Sequence, residues 1–300
     1  MKFFDLHCDT IGECCKYNLS LKQNNLHIDL NRASQIGDYT QVFAVWIPDE
    51  LRGSFATGYF NRVADCFYKQ LEDNKELVSA YGSASITPVK AIFAVEGGSA
   101  CGGTIAGLYH LYERGVRLIT LTWNGKNEIG SGAFSEGGLT PFGVDFIKEA
   151  EALGIILDVS HLNRQSFYEF VNVSQKPFVA SHSNADIVNN EFGKRRNLTD
   201  EQIKIIKERN GIVGLNLCVD FIEDENAKGI DSIYRQVEHF LELDCEDALA
   251  FGTDFDGCTV NDAFNGIQTV PKIYNQLKNN DIPQNILDKL FYSNAKDFFK

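Results

Sequence analysis

Short, continuously apolar segments recur along the chain. Each is followed by turn residues and then by a longer stretch whose apolar positions fall at helical spacing. Eight such segments are strand candidates, at residues 3–6, 41–46, 90–95, 118–122, 155–159, 177–180, 212–217 and 248–252. Helical patterns lie between most of them, at 59–74, 105–114, 145–153, 200–208 and 232–243. Strands apolar on both faces belong to a parallel sheet covered by helices, whereas a half-solvated sheet would alternate strictly. The pattern therefore predicts an α/β fold, and eight repeated units point to closure into a (β/α)8 barrel of TIM type. An open doubly wound sheet is the competing arrangement, and it would place a glycine-rich phosphate loop after its first strand. Here that strand runs into His7-Cys8-Asp9-Thr10, and no GxGxxG or GxxxxGK occurs anywhere.

No repeat, low-complexity run or Pro/Ser-rich linker divides the 300 residues, so one catalytic barrel spanning 1–300 is expected. The 44% apolar content supplies an ordinary core. Charge changes the picture more, because 28 basic against 41 acidic residues leave a net charge of −13. That field repels phosphate backbones, which argues against nucleic acid as a partner and suits a protein that holds multivalent cations. The opening Met1-Lys2-Phe3-Phe4-Asp5 reaches an acidic residue too early for a signal peptide. No apolar run approaches the roughly 20 residues of a membrane span, so no membrane association is expected. Eight cysteines are scattered without a CxxC pair. They read as reduced thiols packing as small hydrophobes in a cytoplasmic protein, and a thiolate zinc knuckle is not expected.

Metal-competent residues sit just beyond the C-terminal ends of strands one, three, five, six and eight: His7 and Asp9, Glu96, His161, His182 and Asp254. A barrel opens all its strand C-termini onto one face, so these distant positions would converge there. Each alone is weak. A His-x-Asp is more often a hydrogen-bonded pair at a strand end, but on an extended chain the two side chains point the same way and make a normal nitrogen and oxygen ligand pair. Cys8 between them should face the other way and pack. Glu96 ends the apolar run Ala91-Ile92-Phe93-Ala94-Val95; either it is a surface residue at the Gly97-Gly98 turn, or a buried charge there requires a strong partner such as two bridged cations. His161 and His182 both follow strongly apolar strands, and Asp158 is placed to orient a histidine through its second ring nitrogen. Thr253-Asp254-Phe255-Asp256-Gly257 lacks the acidic spacing of a calcium loop. Asp254 fits an acid/base at the barrel mouth, while Asp256 suits a turn. Lys194-Arg195-Arg196-Asn197 is either a solvated basic face or a guanidinium site for an anionic substrate group.

Together these motifs resemble the membrane (renal) dipeptidase family of binuclear zinc peptidases, whose members include bacterial cytosolic enzymes. The similarity runs from Asp5-Leu6-His7-Cys8-Asp9 through Val95-Glu96-Gly97-Gly98, Leu121-Thr122-Trp123-Asn124, Asp158-Val159-Ser160-His161, Ser181-His182-Ser183 and Arg195-Arg196-Asn197 to Phe251-Gly252-Thr253-Asp254-Phe255-Asp256-Gly257. The resemblance implies a metal-dependent hydrolase barrel with two zinc ions, one on His7 and Asp9, the other on His161 and His182, with Glu96 bridging. It implies that Asp254 handles protons in a reaction driven by a metal-activated bridging hydroxide, and that Arg196 binds the carboxylate of a small dipeptide whose C-terminal residue can be D. Relatives carry a His after the fourth strand's Leu-Thr, where this chain has Trp123; either Asn124 substitutes as the donor to the substrate, or the zincs alone polarise the carbonyl. The partner expected is a dipeptide, with a homodimer an allowed assembly. Two rivals remain. Another binuclear amidohydrolase-type barrel would cleave a lactone, cyclic amide or N-acyl group, but such enzymes usually begin with His-x-His. A non-catalytic metal- or peptide-binding relative would keep the ligands without turnover.

Overall fold

A computed structural model describes all residues, Met1–Lys300. Nine parallel strands form one sheet: β1 (Lys2–Cys8), β2 (Asp38–Trp46), β3 (Val78–Ala80), β4 (Val89–Glu96), β5 (Leu118–Thr120), β6 (Ile156–Asp158), β7 (Val179–Ala180), β8 (Ile212–Leu215) and β9 (Leu249–Phe251). Neighbours run β2-β1-β9-β8-β7-β6-β5-β4, and β2 pairs with β4 from Tyr39↔Val89 to Trp46↔Glu96. That last pairing closes an eight-stranded barrel, as the pattern of eight units predicted. The ninth strand, β3, lies outside the ring and pairs only with the start of β4 (Val78↔Val89). It has no counterpart among the expected strands because Val78-Ser79-Ala80 has no apolar run to mark it.

β1, β2 and β4 extend beyond the apolar runs that announce them, whereas β5 to β9 are shorter than theirs. Of residues 177–180 only Val179 and Ala180 pair, since Pro177 has no N–H for the ladder. Helices Ile105–Glu113, Pro141–Ala152, Asp200–Glu208 and Ile230–Glu242 fall where the periodicity put them, within four residues. Thr140 caps one, with Pro141 in the first turn, and Thr199 with Gln202 makes a capping box on another. The helix expected at 59–74 begins earlier, at Gly53, because Gly53 and Gly58 mask its first turn. No helix is long and apolar enough to cross a membrane.

Two apolar clusters follow from the period of two along each strand. Phe4 and Leu6, Val42 and Ala44, Ile92 and Ala94 point inward with Leu118, Val179, Ile212 and Ala250 and, with Ala295 of the C-terminal helix Asn294–Phe298, form an 11-residue cluster that fills the barrel. The intervening Phe3, Tyr39, Phe43, Val45, Phe93 and Val95 point outward into a 68-residue cluster beneath the helices. The barrel is thus plugged, and chemistry is confined to its mouth.

Strand closure leaves no room at Gly252, just past β9: a Cβ there would lie 1.7 Å from the Ser181 carbonyl oxygen. Gly252→Ala is expected to lower stability by about 3 kcal/mol, because backbone must move to admit the methyl group. Gly12, with nothing within 4 Å of its Cβ position, is the control; Gly12→Ala is expected to be neutral or stabilising by up to about 1 kcal/mol. Equal urea midpoints for the two variants would contradict this account of the closure.

Candidate active site

At the C-terminal mouth the inward positions turn polar. Glu96 is the next inward residue after Ile92 and Ala94, Thr120 follows Leu118, and Asp158 follows Ile156, so each enters the interior because the period of two carries it there. His7 arrives differently. The β1–β2 register passes from Asp5↔Gln41 to Cys8↔Phe43, so β1 holds one extra residue, a bulge that re-aims the chain. Asp9 is not extended as expected; it caps helix Thr10–Tyr17 with φ −103° and ψ 6°. The pair still meets, His7 Nε2 lying 3.2 Å from Asp9 Oδ2. Cys8 is fully buried in the apolar cluster outside the barrel, as packing requires. His161, Asp254 and Asp256 hold positive φ of 68°, 59° and 68°. Non-glycine residues rarely do so, and such strain gathers at functional sites.

All six residues expected at the mouth converge, and all are buried. Glu96 presents its two oxygens to different partners: Oε2 is 3.6 Å from His7 Nε2, while Oε1 is 2.8 Å from His161 Nε2 and 3.3 Å from His182 Nε2. The His161 and His182 Nε2 atoms are 2.9 Å apart. Three donor groupings lie within 4.8 Å: His7–Asp9–Glu96, Glu96–His161–His182 and His7–His182–Asp254. Burial, helped by Arg196 and His7, pushes His161 and His182 well below the usual imidazole range, so both are neutral. For His7 burial acts the same way, but the carboxylates of Glu96, Asp9 and Asp254 overcome it and raise its pKa to about 10. Burial lifts Glu96 well above the carboxylate range and Asp254 to about 6; His7 opposes both shifts.

This donor set fits divalent cations. Asp9 Oδ1 is buried without a hydrogen-bond partner, and two neutral imidazole nitrogens face each other where neither has a proton to give. His161 Nδ1 bonds Asn124 Oδ1 at 2.9 Å, and His182 Nδ1 bonds Ser181 Oγ at 2.7 Å. Ser181 Oγ in turn donates to Asp158 Oδ2 at 2.6 Å. Each histidine therefore carries its proton on Nδ1 and turns a lone pair on Nε2 towards Glu96. Asp158 supports a histidine as expected, but through the Ser181 hydroxyl and not directly.

Several supporting residues left little mark in the sequence. Asp5 accepts from Thr253 N, Thr253 Oγ1 and His7 N, tying β1 to the segment that carries Asp254. Its only signal is a carboxylate inside the apolar run Phe3-Phe4-Asp5-Leu6. Asn216 Nδ2 donates to Asp254 Oδ2 at 2.9 Å; an amide within the apolar run at 212–217 was its one sign. Asp256 accepts from Thr10 Oγ1 and His27 N and so braces the mouth. Gly257 must be glycine: a Cβ would sit 2.2 Å from Asp9 Oδ2 and 2.5 Å from Asp254 Oδ1. Arg196 is buried behind the cluster, in a helix Glu191–Arg196 whose Lys194 and Arg195 are exposed. Its guanidinium donates to Ser183 Oγ and to the His182 carbonyl, and Nε is unpartnered.

The chain matches the membrane dipeptidase family, peptidase family M19, over residues 1–297. It belongs to that family. An uncharacterised Klebsiella pneumoniae protein from the pqqA 5′ region is 34% identical over 212 residues, 67% of this chain and 77% of its own. A metallopeptidase of Rhodobacter sphaeroides, liganded with a phosphinate mimic of the dipeptide L-Ala-D-Ala, superposes with a TM-score of 0.90 at 23% identity, over 99% of this chain and 98% of that one. The family M19 metallopeptidase called dipeptidase AC gives 0.90 at 24%, over 99% and 97%. At these identities the two structures establish the common barrel. Membership makes the chain a metallo-dipeptidase.

In this dipeptidase the cluster forms the floor of a cavity of about 920 Å³, with Trp46, Trp123, Asn124 and Phe221 in its wall. Trp123 packs edge-on against Trp46, ring centroids 5.0 Å apart, and both form part of the cavity wall. Protein stripped with a chelator should melt lower than protein given a divalent cation. At about 100 times Kd the cation contributes about 2.7 kcal/mol, or roughly 4 °C for a chain of this size. A melting curve indifferent to chelator and cation would show that the cluster is not a metal site.

Proposed function

We propose that this dipeptidase works with two zinc ions and hydrolyses small dipeptides that carry a free carboxylate. What carries the proposal is Glu96, a buried carboxylate with one oxygen turned to His7 and the other to His161 and His182. His7, Asp9 and Glu96 would hold one ion, and Glu96, His161 and His182 the other. Imidazole and carboxylate donors without thiolate suit zinc. Cations there would lower the pKa of a shared water towards 7 and polarise the scissile carbonyl.

The chain's own residues do the rest. Asp254, its Oδ2 fixed by Asn216, takes the proton of the attacking water and returns it to the leaving amine. Arg196 spends two of its five N–H groups on Ser183 and the His182 carbonyl, leaving three for a substrate carboxylate. Asn124 keeps its carbonyl on His161, so its amide N–H2, at the cavity wall, is free to donate to the substrate carbonyl oxygen. The ligand of the Rhodobacter sphaeroides enzyme mimics a C-terminal D-residue, and tolerance of one is proposed here. A panel of L,L- and L,D-dipeptides against zinc-loaded protein tests the reaction.

Asp254 also belongs to a donor grouping with His7 and His182, so its role needs a separating test. The Asn amide keeps shape and hydrogen bonding but takes no proton near neutral pH. Asp254→Asn is expected to retain two equivalents of zinc by elemental analysis and to lose about 10²–10⁴ in kcat. Loss of a metal would make Asp254 a ligand, and near-normal kcat would make it structural.

Arg196→Met is expected to raise KM for free dipeptides by about 1.5–3 kcal/mol, the usual worth of a charge-assisted pair. Dipeptide amides should be poor substrates of the parent. Equal turnover of acid and amide would remove Arg196 from substrate recognition.

A further inference from the structure

The cavity above the cluster is lined mostly by acid where it is charged at all: Asp9, Glu13, Glu96, Asp220, Asp254 and Asp256. Only Lys16 and Arg62 oppose them. Lys16 already has an acidic partner, its Nζ lying 3.3 Å from Glu13 Oε1. Arg62 is not. It makes no ion pair, and its one hydrogen bond runs from a guanidinium N–H to the Gly58 carbonyl at 3.4 Å, one turn back in the same helix. Its guanidinium carbon lies 5.5 Å from the centre of the Tyr59 ring, and Tyr59 also lines the cavity. An aromatic face at that distance favours the cation and narrows its rotamers, leaving four N–H donors without a protein acceptor. A strongly acidic chain has thus left one unpaired guanidinium on the wall of its substrate cavity.

Barrel geometry says which part of a substrate that guanidinium meets. Arg62 rides on helix Gly53–Asp73, which follows β2, and Arg196 follows β7. In the closed ring β2 and β7 are four strands apart in either direction, so the two arginines follow strands on opposite sides of the ring, Arg62 on the cavity wall and Arg196 buried behind the cluster. A dipeptide with its carboxylate towards Arg196 and its peptide bond over the cluster sends its amino-terminal residue to the β1–β2 side. We infer that Arg62 is a specificity residue that selects dipeptides with an acidic side chain, aspartate or glutamate, at the amino-terminal position. The inference rests on the proposed dipeptidase reaction and on the orientation set by Arg196. The guanidinium matches a carboxylate fork to fork, and no other unpaired cation on the wall competes for it.

The test uses the zinc-loaded full chain and compares kcat/KM for Glu–Ala with the isosteric Gln–Ala. The parent is expected to prefer Glu–Ala by about tenfold, less at high salt because Arg62 is exposed to solvent. Arg62→Met should bring the ratio to near one, and Arg62→Glu should invert it and favour Lys–Ala. A parent ratio near one, or a preference that survives in Arg62→Met, would overturn the assignment. So would an equal loss on Glu–Ala and Gln–Ala, because it would put Arg62 on the main-chain carboxylate. Calorimetric Kd values for the same two peptides on the chelator-stripped parent give the contrast without turnover. If the parent cleaves no dipeptide, the reaction proposed above fails, and the calorimetric ratio still decides the role of Arg62.

Discussion

Three carboxylates and three imidazoles packed into one buried space are the constraint on which the rest of this structure depends. Two like charges about 4 Å apart repel by about 4 kcal/mol at an effective dielectric near 20, and burial adds the cost of lost hydration. Without a cation, the proton on His7 is the positive charge that Glu96, Asp9 and Asp254 share, which is why those carboxylates hold its pKa so high. A divalent cation meets the same need with more charge and with geometry. The surrounding structure makes sense as the apparatus that keeps the donors together. Asp5, Asp158 and Asn216 hold backbone and side chains behind them, Gly257 lets two carboxylates approach, and strained φ values at His161 and Asp254 aim the residues inward.

The barrel supplies what a loop-built site would lack. Its interior is filled by close-packed aliphatic side chains together with Phe4, so the floor beneath the cluster is rigid and dry. Glu96 sits on that floor as the continuation of an inward-facing row, not as an addition to a loop. The histidines come from positions just past the strand ends. There the backbone is free of the ladder but still held by Ser160, Ser181 and Asp158. Rigidity of this kind lets hydrogen-bonded partners fix the tautomers of His161 and His182.

The two sides of the mouth are built differently. On the β7 side Arg196 is buried, anchored by Ser183 and the His182 carbonyl, and so is bound to the same backbone that places a cluster histidine. On the β2 side Arg62 stands in solvent against Tyr59. The first arrangement suits a group that every substrate carries, because its position is locked to the cluster. The second suits a group that varies, because a surface guanidinium can be replaced without disturbing the core.

Much of this was written in the chain itself. Eight apolar runs separated by helical patterns implied a parallel sheet covered by helices, and their number, with no glycine-rich phosphate loop after the first, favoured closure into a barrel over an open doubly wound sheet. The positions of His7, Asp9, Glu96, His161, His182 and Asp254 at strand ends marked the face on which they meet. Other features depended on contacts distant in sequence and left no local sign. β3 is a strand only because β4 offers it an edge. Asp9 reaches His7 through a bulge and a helix cap, where simple alternation would have sufficed on paper. Asp158 works through Ser181, Asn124 is tied to His161, and Arg196 stands behind the cluster, anchored by residues that sequence spacing could not pair with it. Period and composition report which face a residue is on. Only the closed ring, which sets β2 opposite β7 and Glu96 between two sets of histidines, decides what each side chain touches.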